Sequence, residues 1–239
     1  MIEAYEAAMA DARASFESDP VVTSVAGGAL GVDELERYVM WFAALGTQMT
    51  APVEGWIRRA GERCLALGYH ELGDALVKHA RHEAGHDALF RADTRALAGR
   101  RAACGRSWID PEILLLHPPT HGVQAYAGLH ESVIAGAQPF AQVAIEYEIE
   151  RLSTVFGPKF IQVCVACLGQ DVLGCLTFVT DHVRLDEGHT AFNARQLDRF
   201  LAANPEALSA LAAAGAAALN AYAAYLADCR SLSLAGLTA

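Results

Sequence analysis

A ten-residue pattern occurs twice in this chain, 103 residues apart, and both copies make chemical sense only on helices that face one another. His79-Ala-Arg81-His-Glu83-Ala-Gly85-His86-Asp-Ala88 and His182-Val-Arg184-Leu-Asp186-Glu-Gly188-His189-Thr-Ala191 share the form H-x-R-x-[E/D]-x-G-H-x-A. On an α-helix, positions i, i+4 and i+7 lie at about 0°, 40° and −20° around the axis. Each copy therefore sets two imidazoles and one carboxylate along a stripe about 10 Å long. Two such stripes brought together can hold two metal ions between helices.

The rest of the chain reads as helix. The pattern predicts helices near 2–17, 33–45, 52–68, 71–98, 122–136, 139–156, 158–168, 171–201 and 205–230, an all-α bundle of about eight or nine helices. Asp33 and Asn204 suit N-caps, and Pro52, Pro139, Pro158 and Pro205 suit the first helical turn, where a missing N–H costs nothing. Gly157-Pro158 should break or kink the chain. Val21-Val-Thr-Ser-Val25 is the one β-rich run; Gly27-Gly28 follows it, and it reads as a connector. The segment 99–121, with Gly99, Gly105, Pro111 and Pro118-Pro119, is the longest irregular connection. No Ser/Gly linker or charge block divides the chain, so residues 1–239 are expected to form a single domain, with hydrophobic residues (53%) sufficient for a full core.

Several function classes are disfavoured. The net charge is −10 and no basic stripe occurs, which argues against nucleic acid and anionic membrane as partners. Six cysteines are scattered; Cys164-x-x-Cys167 lacks a second pair or a nearby histidine and reads as small apolar residues on a buried helix. The N-terminus has no charged segment leading into an apolar one, and Asn220 interrupts the alanine-rich stretch 207–227, so a soluble cytoplasmic protein is expected. No G-x-S-x-G, Walker A or G-x-G-x-x-G motif occurs.

The candidate ligands are His79, Glu83, His86, His182, Asp186 and His189. A metal pair also needs a bridging carboxylate. Glu146, Glu148 and Glu150 are available; Glu146 and Glu150 share one helix face, while Glu148 points elsewhere. Imidazole and carboxylate without thiolate suit iron or manganese better than zinc. Gly85 and Gly188, each just before a ligand histidine, are expected to let another backbone or a small ligand come close. Arg81, Arg184 and His82 lie off the stripe and either face solvent or pair with the ligands from behind, while His70, His117, His121 and His130 have no spaced partners, which gives them structural or surface roles.

These residues resemble the haem-oxygenase-like di-iron oxidases and oxygenases. Glu83-x-x-His86, a lone glutamate and His182-x3-Asp186-x2-His189 look like that family's three ligand pieces, in its order. The run Ile149-Glu150-Arg-Leu152 through Phe156-Gly157-Pro158 is similar to the stretch after the family's lone glutamate, which favours Glu150 and leaves Glu146 in reserve. Phe178-Val-Thr-Asp-His182 looks like the aromatic approach to the last motif, and His79 is an addition that either ligates a metal directly or orients another ligand. The resemblance covers residues 70–200 and implies a haem-oxygenase-like fold, two Fe(II) ions, O2 as co-substrate and an external reductant. No catalytic side chain is expected beyond the metal centre. It also implies a small-molecule substrate, and the compact size is similar to the branch that oxidises free amino acids. That branch forms alkenes, strained aza-rings or nitriles in natural-product pathways, such as those of polyoxin-type antibiotics. An apolar L-α-amino acid held by an arginine through its carboxylate is the expected substrate, with a fatty acid as the alternative and a homodimer as an open assembly. A ferritin-like iron protein is the competing class, but it would use two E-x-x-H pairs and the stripes contain one. A haem oxygenase proper would need an axial histidine before His70, and a thiaminase-like hydrolase would leave both stripes unexplained.

Overall fold

Apolar residues occupy every face of the segment 38–47, and a helix apolar all round is stable only inside other helices. That segment forms the middle of the buried helix α3, Val32–Thr50. The computed structural model describes residues 1–106 and 110–235, among which there are twelve α-helices and no strand. Before α3 in the chain come α1 (Ile2–Glu17) and α2 (Pro20–Ala26), and after it α4 (Val53–Ala66), α5 (His70–Ala80) and α6 (Asp87–Ala103), of which α6 packs on α3. They are followed by α7 (Pro111–Leu115), α8 (His121–Ala135), α9 (Gln142–Val155), α10 (Gly157–Leu168), α11 (Thr177–Ala203) and α12 (Leu208–Ala235). Short 3-10 turns precede α9, α11 and α12.

The count exceeds the eight or nine expected, for identifiable reasons. Val21–Val25 is helical because Asp19 accepts hydrogen bonds from the Val21 and Val22 amides, Pro20 occupies the first turn, and Val22 and Val25 are buried. Local capping and burial here override β propensity. The helix expected over 71–98 is two helices separated by a turn at 81–86. Part of the 99–121 connection is helical: α6 runs to Ala103, and Asp110 caps α7 through the Glu112 amide. Residues 107–109 of that connection lie outside the described residues. Gly31, and not Asp33, stands at the N-cap of α3.

Five packing relations place the functional side chains. Helix α9 lies along α11, while α12 packs on α8, α1, α3 and α9. The buried residues of α12, Leu211, Ala214, Ala218, Tyr225 and Cys229, recur every three to seven positions along one stripe. Helix α1 is tied to α9 by Arg13, whose guanidinium donates to both oxygens of the fully buried Glu148 at 2.9 and 2.6 Å. Glu148 thus faces away from Glu146 and Glu150, as their spacing requires. The N-terminus of α11 is capped from α6: Asp93 accepts from the Thr177 and Phe178 amides, each at 2.9 Å, and from the Thr177 hydroxyl at 2.7 Å. An acidic cap at a helix N-terminus is favourable electrostatically, and this one fixes the angle at which α11 presents its histidines.

Two stretches, Pro139–Leu168 and Pro205–Ala235, are apolar and long enough by composition to cross a membrane. In the fold, the first carries the buried Glu146, Glu148 and Glu150, and the second packs on α1, α2, α3, α8 and α9.

Candidate metal centre

The second motif copy behaves as its spacing predicts. His182, Asp186 and His189 lie on the uninterrupted α11 and face inward. The first copy does not lie on one helix. His79 sits in the last turn of α5, and Glu83 and His86 lie in the turn before α6. Hydrogen bonds from the His82 amide to His79 and from the Glu83 amide to Ala80 tighten the chain there, and Gly85 adopts φ +84°. That left-handed conformation is the role of Gly85, because an added Cβ would meet nothing within 4 Å. Gly188 also has open space at its Cβ position. No backbone or side chain of the described residues approaches either glycine as closely as expected.

Despite the broken helix, all seven expected ligands converge. Their ligand atoms form three overlapping groups, each with atoms within 4.8 Å of one another: Glu83, His86 and His182; His79, Glu83 and Glu150; and Glu150, Asp186 and His189. Glu83 and Glu150 each belong to two groups, so these carboxylates stand where a bridge would be needed. His79 Nε2 is 2.9 Å from Glu150 Oε1, and His86 Nδ1 is 2.9 Å from Glu83 Oε2 and 3.1 Å from His182 Nε2. His189 Nδ1 lies 3.3 Å from Asp186, 3.5 Å from Glu83 and 3.8 Å from Glu150.

The donor set fits metal ions. His79 Nε2, Glu150 Oε1 and His189 Nδ1 are buried with no aligned hydrogen bond, although they crowd together. Orphaned buried polar atoms are costly, and so are buried carboxylates without a counter-charge. Groups behind the ligands hold them in place. The Phe178 carbonyl takes the Nδ1 side of His182 at 2.8 Å, which leaves Nε2 toward the cluster. Asn193 donates to Glu150 Oε2 at 2.7 Å, and Ser153 donates to Asp186.

Electrostatics without metal reflect the crowding. Burial pushes the Glu150 carboxyl well above its ordinary range, against the Asn193 hydrogen bond. Burial also lowers His79 and His182. Burial acts to raise Glu83, but the hydrogen bond and charge of His86 outweigh it and hold Glu83 low; the same hydrogen bond raises His86. The adjacent Asp186 carboxylate raises His189.

Glu146 lies one turn before Glu150, outside all three groups, and burial pushes its carboxyl up to about 8. It belongs to a polar chain that no sequence spacing announced. Gln142 donates to Glu146 at 2.5 Å and to His130 Nδ1 at 2.8 Å, while the His130 ring stacks on Trp56 at 4.3 Å. His130 is wholly buried, which depresses its pKa to about 3. His70, His82 and His121 are exposed, and His117 packs edge-on against Trp41.

A cavity of about 110 Å³ opens against the cluster, with Glu83, His86, Glu150, His182 and Asp186 on one wall and aromatic rings on the others. No arginine or lysine is among the described residues lining it. The expected guanidinium for a substrate carboxylate is therefore missing from this wall.

No protein-family profile and no curated protein matches the chain. Solved structures do. A domain of unknown function with a heme oxygenase-like fold from Shewanella denitrificans OS217 matches with a TM-score of 0.70 at 16% identity, over 94% of this chain and 89% of that one. A CADD-like protein of unknown function from Nostoc punctiforme PCC 73102 matches with a TM-score of 0.65 at 15% identity, over 98% and 99%. The chain thus has the all-α haem-oxygenase-like fold, and the ferritin-like alternative loses its architecture.

Proposed function

We propose that this protein is an O2-dependent non-haem di-iron oxidase acting on a free L-α-amino acid with an apolar side chain. The observation that carries the reading is the convergence of seven imidazole and carboxylate ligands in three overlapping groups, with buried ligand atoms that lack hydrogen bonds. Seven ligands exceed what one ion takes, and histidine with carboxylate suits iron. His86, His182 and Glu83 would serve one ion, and His79, His189 and Asp186 the other, with Glu150 and Glu83 shared between them.

Bound there, the ions would supply the O2 reduction that C–H oxidation requires. The chain's own contribution is shape and dryness. Phe42, Phe90, Phe160 and Phe178 wall the cavity and keep water from the cluster. A void of about 110 Å³ is smaller than the apolar cavity of about 150 Å³ that accepts a benzene ring. A side chain of a few carbons fits a void of this size, which supports the amino acid as substrate. An external reductant completes the scheme, the products are those of desaturation, cyclisation, nitrile formation or N-oxygenation, and the cytoplasm is the setting.

The test is anaerobic Fe(II) loading, then O2 exposure with a panel of amino and fatty acids, followed by O2 uptake and mass spectrometry. Substrate-dependent O2 consumption with an amino acid supports the reading. Consumption with medium-chain fatty acids alone contradicts the substrate, and none with any compound contradicts the oxidase.

A further inference from the structure

Glu146 lines the cavity, is 4% exposed, and stands outside all three ligand groups. Its position is built. The Gln142 amide donates to Oε1 at 2.5 Å, and Gln142 is fixed by His130, which is clamped between Trp56 and Tyr126 with ring centroids 4.3 and 4.6 Å away. Among the described residues, Gln142 is the one hydrogen-bond partner of the Glu146 carboxylate, which leaves Oε2 unpaired on a residue that lines the cavity.

The remaining walls sharpen the point. The carboxylates on the cavity are Glu83, Glu146, Glu150 and Asp186; three belong to the ligand groups, and Glu146 is left over. No arginine or lysine among the described residues lines the cavity, and the nearest ionisable partner of Glu146, the His79 imidazole, is itself buried and held toward its neutral form. A buried carboxylate without a counter-charge is costly, and a ligand that brings one removes the cost. An anionic ligand finds no guanidinium or ammonium here; a cationic ligand finds Glu146 at hydrogen-bond reach, with rings for its apolar part.

We infer that Glu146 is a specificity-determining residue that accepts a hydrogen bond from a protonated amine, so that the cavity selects small apolar molecules carrying an ammonium group. This rests on the oxidase reading for its purpose, but the recognition itself needs no metal. It moves substrate selection from a guanidinium holding a carboxylate to a carboxylate holding an amine. Gln142 and His130 act through Glu146 as positioning residues.

Calorimetric titration of the full chain, metal-free and anaerobically Fe(II)-loaded, with isobutylamine, isobutanol and isobutyrate tests the inference. The amine is expected to bind about ten- to a hundredfold tighter than the alcohol, as a charge-assisted hydrogen bond to a buried group allows. Isobutyrate is expected to bind more weakly than the amine. Glu146→Gln should erase the amine preference while keeping the wild-type Fe(II) stoichiometry. A preference for isobutyrate, no detectable amine binding, or an amine preference that survives Glu146→Gln overturns the inference. Loss of an iron ion in Glu146→Gln also overturns it, by making Glu146 a ligand. Failure of the metal reading shows separately as no Fe(II) bound, while the amine comparison in the metal-free chain still reports on Glu146. The wild-type ligand comparison stands even if the variant does not fold.

Discussion

Alanine at the two motif glycines should change stability in opposite directions, although the two positions are equivalent in sequence. Gly85 has φ +84° and Gly188 lies inside α11, and an added Cβ meets nothing within 4 Å at either. Steric clash is thus removed from both, leaving backbone conformation as the difference. Forcing an L-residue into the left-handed region costs about 1–2 kcal/mol. Replacing glycine by alanine in a helix interior gains about 0.5–1 kcal/mol. For a chain of this length 1 kcal/mol moves Tm by about 2–4 °C. In the metal-free protein, Gly85→Ala is therefore expected to lower Tm by about 2–8 °C and Gly188→Ala to raise it by about 1–4 °C. Thermal unfolding by circular dichroism reads both. Gly85→Ala should also weaken Fe(II) binding, because Glu83 and His86 flank the strained turn. If Gly85→Ala stabilises the chain as Gly188→Ala does, residues 79–88 form a continuous helix and the account of the first motif is wrong.

Asp186→Ala and His189→Ala should each abolish turnover and retain helical circular dichroism, since the apolar helix faces still pack; near-wild-type activity in either would contradict the ligand assignment. Glu150→Ala is expected to lose O2-dependent chemistry and Glu146→Ala to retain some, and the reverse result would move the shared carboxylate one turn. Arg13→Ala leaves Glu148 buried without its partner, and denaturant unfolding should show a loss of about 3–5 kcal/mol. His130 has a folded pKa of about 3 against 6.5 unfolded, so below pH 6.5 the unfolded chain binds the extra proton. Its contribution is full above that pH and is lost as pH falls toward about 3, at about 1.4 kcal/mol per pH unit. His130→Phe should flatten that slope, and an unchanged slope would place the acid sensitivity elsewhere.

The helices and the second ligand stripe were legible because apolar periodicity and i, i+4, i+7 spacing survive unchanged on α11. The placement of Glu150 beside both stripes was legible from spacing and the resemblance together. The turn at 81–86 was not: Ala80, Ala84 and Ala88 continue a helical pattern, and glycine reads equally as a tolerated helix residue or a left-handed one. The α2 helix was hidden because β-branched composition outweighed a cap and a proline. Interactions between distant segments left no local signal at all. The His130–Gln142 hydrogen bond, Asp93 capping α11 and Arg13 holding Glu148 join residues 12, 84 to 85 and 135 positions apart. That no arginine or lysine among the described residues lines the cavity was equally invisible, since a chain with 18 basic residues offers many candidates.

The central claim is that the two motif copies and Glu150 hold a pair of metal ions, and anaerobic Fe(II) titration of the purified chain tests it most directly. Equilibrium dialysis with Mössbauer detection should give two Fe(II) per chain in the wild type and a reduced number in Asp186→Ala. Zero bound iron in a folded wild-type chain would contradict the account.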